Sequence, residues 1–519
     1  MHNDYNTLVM EAMTVKDLPR EVRGVHIHFV GIKGTGMVAL VEILHARGAV
    51  ITGSDVSERF YTDEVLEKLG LQAKPFSEKN ITADIQYVIH SSAYSVEKNP
   101  DLQEASRRGL PILLYTEALG AVSRTAYSAG VCGVHGKTTT TGMVGTLLQA
   151  TDLPSQVLAG SVIASFGSGG GCTMSNAAFK SEPAGAEHYF VAETCEYQRH
   201  FMSFSPQKII LTSVESDHQD YYPTYEDICA AFVDYICLLP HGGEVFYCAD
   251  DRGACDAVSR ALTRRDDIHA VPYGTSEACE AGVHIILGRV EGGKQFFTLG
   301  GAAAAAAHIL GEWALSVPGE HTVRNAAAAL ALVSALLLSA GKQPALYEER
   351  LQAALLSFSG GRRRSEIIAR TKTPLGEPLI VLDDYGHHPT AIKTTLSGYR
   401  TFYKNHTIIV DFMSHTYTRT QALLEEFASS FADADFVIIN KIYASARENA
   451  DDSSVTGELL AERTKAHNPA CVYAETFEEA AQVVLTALSK PSGSSDGYLF
   501  VTMGAGDNWK VGKLVLEKL

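Results

Sequence analysis

The sequence predicts an α/β protein of three domains: an N-terminal Rossmann-like domain, a central P-loop ATPase-type domain on a parallel sheet, and a C-terminal Rossmann-like domain. Three observations predict it. The chain has 519 residues, too many for one hydrophobic core and enough for about three domains. Short apolar runs alternate with helical patterns, which implies parallel βαβ units with ligand sites at the carboxyl ends of the strands. The pattern resets near Arg124 and again at FSGGRRRSE, which divides the chain into 1–124, 125–358 and 359–519.

In the first domain the runs are VHIHFVGI, a helix from Met37 to Arg47, AVITGSD, QYVIHSSA and PILLYTEAL. The second opens with YSAGVCGVHGKTTTT and continues through EHYFVAET and QKIILTSV. It carries a glycine cluster at 167–171 and a run of alanines at 302–307 that favours helix. In the third, PLIVLDD, HTIIVDF, FVIINKI and YLFVTMG read as strands, with a Ser/Gly/Pro surface loop at 489–497 before the last.

Composition narrows the class. Apolar residues make up 46 % and charged residues 20 %, as in a compact soluble protein. A formal net charge of −17 gives no global reason to expect nucleic acid or an anionic membrane as partner, so any phosphate site must be local. The N-terminus lacks an apolar core of signal-peptide length, and no stretch is expected to approach the roughly 20 apolar residues of a membrane helix, so a cytoplasmic location is expected. Nine cysteines without a CxxC pair read as reduced thiols.

Chemistry concentrates at strand ends. In Gly133-Val-His135-Gly136-Lys137-Thr138-Thr139-Thr-Thr141, backbone N–H groups and a helix N-terminus can cradle ATP phosphates. Lys137 would neutralise their oxygens and the Thr138 hydroxyl would ligate Mg²⁺. A standard P-loop has glycine where this chain has Val131. Gly31-Ile-Lys-Gly34-Thr35-Gly36 opens another helix, with Asp55 nineteen residues beyond Gly36. The order is GxxGxG rather than the dinucleotide GxGxxG, which suits a nucleotide diphosphate with Asp55 near a sugar or base. Glu193 and Asp217-His218 follow strands of the P-loop domain and are suited to hold a second Mg²⁺ between ATP and an acceptor carboxylate. In the third domain, Asp383-Asp384-Tyr385-Gly-His387-His388 and His415-Thr-Tyr-Thr-Arg419 end two strands. Arg419 is a natural partner for an amino-acid carboxylate.

Ten motifs in order, GIKGTGM, GSD, SSA with Asn99-Pro100, GVHGKTTTT, SDHQDYY, GEHTVRN, Arg363-Arg364 with DDYGHHPTA, HTYTRT, IYASARE and VTMGAGDNWK, resemble the Mur ligase family across all three domains. The resemblance implies ATP-dependent joining of L-alanine to the lactyl carboxylate of UDP-N-acetylmuramate through an acyl phosphate, with Mg²⁺, in peptidoglycan precursor synthesis. By motif position it implies an ATP cradle of Gly133, His135, Gly136, Lys137, Thr138 and Thr139, and a metal set of Thr138, Glu193 and His218. It places Asn325 at adenine and Arg364 and Asp384 on the nucleotide from the third domain. His415, Arg419 and Tyr385 match positions near the amino acid. Gly34, Thr35, Gly36, Asp55, Ser91, Ser92 and His388 complete the expected substrate-side residues. A monomer or weak dimer is expected.

The chain departs from the family pattern at three places. EADESD reads Glu193-Thr-Cys-Glu-Tyr-Gln198, HNVxN reads His321-Thr322-Val-Arg-Asn325, and FQPH reads Phe412-Met-Ser-His415. Competing readings are a Mur-type ligase for another amino acid or peptide, a nicotinamide-dependent oxidoreductase using the Gly31 loop, and a non-catalytic nucleotide-binding regulator.

Overall fold

The computed structural model describes residues 17–60, 62–166, 170–182, 187–219, 221–444 and 454–519. The first sixteen residues, most of the glycine cluster, Asp220 of SDHQDYY and the end of IYASARE lie outside them.

Among the described residues the strands are β1 His26–Val30, β2 Val50–Ser54, β3 Tyr87–His90, β4 Ile112–Leu114, β5 Tyr127–Cys132, β6 Ser155–Ile163, β7 Gly171–Ser175, β8 Tyr189–Glu193, β9 Lys208–Leu211, β10 Glu244–Cys248, β11 His269–Gly274, β12 Val283–Glu291, β13 Lys294–Gly300, β14 Gly311–Leu315, β15 Glu366–Lys372, β16 Pro378–Asp384, β17 Thr407–Met413, β18 Phe436–Asn440, β19 Cys471–Ala474 and β20 Tyr498–Gly504. They form three sheets. The first, in order β2-β1-β3-β4, is parallel throughout. The second has ten strands, β14-β13-β12-β11-β10-β9-β5-β8-β6-β7, and the third six, β15-β16-β20-β17-β18-β19.

The central sheet is mixed rather than wholly parallel. Its parallel core carries an antiparallel hairpin extension, β12 to β14, at one edge and antiparallel β7 at the other. In the third sheet β15 is likewise antiparallel to β16. These additions are partly exposed strands: the burial of β13 alternates residue by residue, and β15 is largely exposed. Such strands pack on one face only, whereas the strands read from sequence are continuous apolar runs buried on both faces. β5 lies between β8 and β9, so the P-loop leaves the middle of the parallel core.

Two helices fix that loop. Lys137–Gln149 has ten buried residues, including Thr138, Thr140 and Thr141, and lies against Glu320–Ser339. The latter is 20 residues long and apolar enough to cross a membrane, contrary to the expectation that no stretch approaches that length. Here 78 % of its most apolar window is buried inside the protein, because small Ala326–Ala329 let it lie close against its neighbours within the second core. Each fully buried Leu or Val in such a core contributes about 1.5–3 kcal/mol.

The first and second domains share a hydrophobic cluster that includes Leu40, Leu44, Leu158 and Phe190. Half-buried Arg47 crosses this seam. Its Nε donates to Gln156 Oε1 at 2.7 Å and its Nη1 to Thr125 Oγ1 at 2.8 Å, and its guanidinium lies 5.7 Å from the Phe190 ring centroid. Burial pushes its pKa down to about 10. All nine cysteines are free thiols.

Candidate active site at the P-loop

The backbone explains why glycine stands at both ends of the loop. Gly133 has φ 132° and Gly136 φ 81°, in the region that side chains avoid. A Cβ on Gly133 would sit 2.1 Å from Thr212 Oγ1, and one on Gly136 2.9 Å from Asn325 Oδ1. Lys137, the first residue of the helix, curls back over the loop. Its Nζ donates to Gly133 O at 2.5 Å and to both oxygens of Glu196, at 2.9 and 3.1 Å. Burial disfavours the ammonium, but the charges of Glu196, Cys195 and Glu193 outweigh it and raise the Lys137 pKa. Burial likewise opposes the Glu196 carboxylate, which Lys137 and the His218 hydrogen bond nonetheless hold below the ordinary range. The lysine therefore stays charged at the place where phosphate oxygens would lie.

Glu193 at the end of β8 accepts from Thr138 Oγ1 at 3.1 Å and from Gly160 N at 2.7 Å. A hydroxyl and a carboxylate oxygen this close, at the mouth of a P-loop, fit a hard divalent ion such as Mg²⁺. His218 Nε2 lies 3.4 Å from Glu196 Oε1, so the expected pairing of Glu193 with His218 acquires Glu196 between helix and histidine. Tyr197 packs on the His218 ring at 4.8 Å. Gln198, Arg199 and His218 all have φ between 51° and 57°. Three non-glycine residues in this sparsely populated region beside one cavity mark a backbone held for function.

The cavity over the P-loop measures about 1030 Å³ and lies between the central and C-terminal domains. His135, Gly136, Lys137, Thr138, Thr139, Glu193, His218, Asn325, Arg364, Asp384, Tyr385, His415 and Arg419 all line it. Cys248, Asp250, Tyr273, His321, Thr322 and Arg324 also line it, a mixture of apolar and polar groups. Burial, Arg324 and His135 push the His321 pKa down to about 4, leaving a neutral ring. Thr322, which replaces the family asparagine, donates to Gly319 O at 2.6 Å and accepts from Gln295 Nε2 at 2.8 Å. It caps the loop before Glu320–Ser339 rather than presenting a free amide.

From the third domain, Asp384 accepts from Ser365 N and Gly386 N, both at 2.8 Å, so it shapes the loop at the cavity wall. Arg364 lies 4.9 Å over the Tyr385 ring. Arg419 Nη2 meets Asp217 Oδ1 at 2.7 Å, with side-chain exposures of 10 % and 8 %, and its Nη1 donates to His415 O at 3.0 Å. Burial opposes the Asp217 carboxylate, yet Arg419 and His218 hold it well below the usual range. Arg419 thus already spans the two domains through a carboxylate of the protein.

The N-terminal candidates form a separate group. Gly34 precedes the helix Thr35–Ala46. Asp55 Oδ2 accepts from Lys33 N at 2.7 Å, and its Oδ1 from Tyr94 OH at 3.2 Å. Ser91 Oγ accepts from Ala93 N, and Ser92 is exposed. None of these lines the cavity, and neither does His388. The link is Tyr115, whose ring would lie 3.0 Å from a Cβ on Gly36. Burial and the Glu193 and Cys195 charges push its phenol up, which places it between the glycine loop and the P-loop mouth. Tyr115, Glu215 and Tyr197 carry no motif of their own and were not singled out by the sequence; Glu196 was visible only as a retained acid. The signal for Glu196 was its spacing of three from Glu193.

Comparison with known proteins agrees with this architecture. The chain matches models of the Mur ligase family, catalytic domain, over residues 26–127, of the Mur ligase middle domain over 131–333, and of the Mur ligase glutamate ligase domain over 363–506. It is 47 % identical over 502 residues to the UDP-N-acetylmuramate–L-alanine ligase of Treponema pallidum, covering 96 % of this chain and 98 % of that one. It is 36 % identical to the enzyme of the same name from Desulfitobacterium hafniense, over 94 % and 98 %. The crystal structure of UDP-N-acetylmuramate-alanine ligase from Thermotoga maritima superposes with a TM-score of 0.68 at 25 % identity, covering 95 % of this chain and 98 % of that one. A P-loop in a mixed ten-stranded sheet, flanked by two Rossmann-like domains and matched end to end by these proteins, shows that the chain belongs to the Mur ligase family, among the UDP-N-acetylmuramate–L-alanine ligases.

Proposed function

We propose that the chain uses ATP to activate the lactyl carboxylate of UDP-N-acetylmuramate and joins it to the amino group of L-alanine, releasing ADP and phosphate. The observation that carries this reading is the charged Lys137 beside Thr138 and Glu193 in one cavity closed by Arg419 and Tyr385 of the third domain. The three segments 1–124, 125–358 and 359–519 serve respectively the UDP-sugar, ATP, and nucleotide closure with amino-acid binding. Work in this pathway belongs in the cytoplasm.

The carboxylate oxygen attacks the γ-phosphorus, the bond to the β-phosphate oxygen breaks, and an acyl phosphate forms. Lys137 leaves Glu196 for the phosphate oxygens and stabilises the charge that builds on them. Thr138, Glu193 and His218 would hold Mg²⁺, which would supply positive charge against the triphosphate and the incoming carboxylate. Asn325, at the P-loop's shoulder, and Arg324 with His321 place the base. The amine of alanine then attacks the acyl carbon, loses a proton to solvent or a neighbouring base, and phosphate departs. Neutral His387, its pKa driven down by burial and the Arg419 charge, lines the same wall and is available to accept that proton. Acyl phosphates hydrolyse readily, so the third domain excludes water.

Phosphate release measured with UDP-N-acetylmuramate and single amino acids tests the reading. Turnover with L-alanine is expected; no turnover with alanine, serine or glycine refutes it.

A further inference from the structure

At the cavity wall, where His135 and Glu215 line the space and His388 lies behind them, three side chains from three segments meet across the seam between the central and C-terminal domains. His135 comes from the P-loop, Glu215 from the segment after β9, and His388 from the turn after β16. One ligand atom from each lies within 4.8 Å of the other two. His135 Nε2 touches Glu215 Oε1, and His388 Nδ1 lies 3.4 Å from the same oxygen. The His135 and His388 rings are 5.2 Å apart.

His388 is the telling member. It is 6 % exposed, yet neither ring nitrogen has a hydrogen-bond partner among the described residues. A buried polar group left in this state costs about 1–3 kcal/mol, and its Nδ1 faces the Glu215 carboxylate. Burial holds His388 neutral, the form in which imidazole ligates metals. Arg419, which shares this region, is already neutralised by Asp217 at 2.7 Å, so the Glu215 charge remains for a cation.

We propose that His135, Glu215 and His388 bind a late first-row divalent ion, Zn²⁺ in particular, which clasps the P-loop domain to the C-terminal domain. Two imidazoles and one carboxylate suit Zn²⁺ or Co²⁺ rather than Mg²⁺, which takes oxygen ligands in octahedral geometry. Ligands about 2.0–2.2 Å from a tetrahedral ion stand roughly 3.3–3.6 Å apart, a spacing the His388–Glu215 pair already has. Thr390 Oγ1 donates to Glu215 Oε2 at 3.0 Å, leaving Oε1 for the ion and orienting the carboxylate as outer partners of metal ligands do. His135 and Glu215 are 28 % and 27 % exposed, which gives an entry path and a fourth position for water. The site shares no residue with the Thr138–Glu193–His218 set. Because its ligands come from two domains, occupancy favours the closed arrangement and slows any cycle that must open.

The test uses the full chain, stripped of metal and without substrates, so its outcome is independent of the ligase reading. Equilibrium dialysis against micromolar Zn²⁺ is expected to give one tightly bound equivalent in the parent protein. His388→Gln and Glu215→Gln, checked for fold by circular dichroism, bind it about 100-fold more weakly, while His218→Ala keeps it. Co²⁺ in its place gives the intense visible absorption of a low-coordinate site, lost in the same two variants, and Zn²⁺ makes the parent more compact by small-angle scattering. If the parent binds no Zn²⁺, or if the bound equivalent and the Co²⁺ spectrum survive in His388→Gln or vanish in His218→Ala alone, the proposal is overturned. The parent measurements decide the matter even where a variant fails to fold.

Discussion

Asp217→Asn breaks a buried ion pair that joins the catalytic face of the central domain to the amino-acid side of the third. Asp217 Oδ1 and Arg419 Nη2 are 2.7 Å apart and both side chains are nine-tenths buried. At an effective dielectric of about 20, that separation corresponds to roughly 6 kcal/mol of attraction, most of it offset by desolvation. Removing one partner leaves the other charge buried, at about 3–5 kcal/mol. The amide keeps an oxygen for the His218 N–H, which Asp217 now accepts at 2.7 Å, and the cavity lets water reach the guanidinium. These two compensations bring the cost below that range, to about 2–3 kcal/mol, or some 30- to 160-fold in the equilibrium between closed and open domains. Interdomain distance distributions from paired spin labels, measured for Asp217→Asn, Arg419→Gln and the double variant, read this without depending on turnover. A coupling energy of about 2 kcal/mol is expected. Additivity within about 0.5 kcal/mol would show that the pair does not couple the domains. The folded-state pKa of Asp217 is depressed, so the pair's contribution is fully present above the usual aspartate range and is lost as pH falls through the folded value.

Gly160→Ala places a Cβ 2.6 Å from both Glu193 carboxylate oxygens and must push that side chain off Thr138. The Mg²⁺ concentration for half-maximal activity should rise about tenfold, with activity regained at high Mg²⁺; an unchanged Mg²⁺ titration contradicts the placement of Glu193. Lys137→Ala removes the charge over the phosphates and should cut phosphate release by about 10²–10³ or more, whereas unchanged turnover contradicts the mechanism. Asp411 is buried with Asn440 and Asn508 as its donors, and burial pushes its pKa up to about 7. The unfolded chain releases that proton near pH 4, so stability falls between about pH 4 and 7 as the folded carboxyl stays protonated. The melting temperature of Asp411→Asn should depend less on pH across that window; an unaltered slope refutes the assignment.

Many parallel strands were legible as apolar runs: VHIHFV, YSAGVC, YFVAE, PLIVLDD and YLFVTMG all become strands, whereas β6, β10, β11 and β19 were not singled out. β13 and β15 were not, since their alternating or exposed residues look like surface sequence. The glycines at 133 and 136 announced the phosphate loop through the backbone conformations that only they adopt readily. Partnerships across domains were invisible, because nothing in the spacing of Asp217 and Arg419, 202 residues apart, says that they meet. The burial of the apolar helix Glu320–Ser339 depends on its neighbours, against which its small alanines permit tight packing. Tyr115 lies in a run read as strand, whereas a helix begins there and its ring packs against Gly36.

Activation of the carboxylate by phosphorylation is the centre of the account, and the fate of one oxygen atom tests it most directly. UDP-N-acetylmuramate carrying heavy oxygen in its lactyl carboxylate, turned over with ATP and L-alanine, should yield inorganic phosphate with one heavy oxygen per molecule of amide formed, because the bridging oxygen of the acyl phosphate leaves with the phosphorus. Phosphate free of label, formed together with the amide, would contradict it.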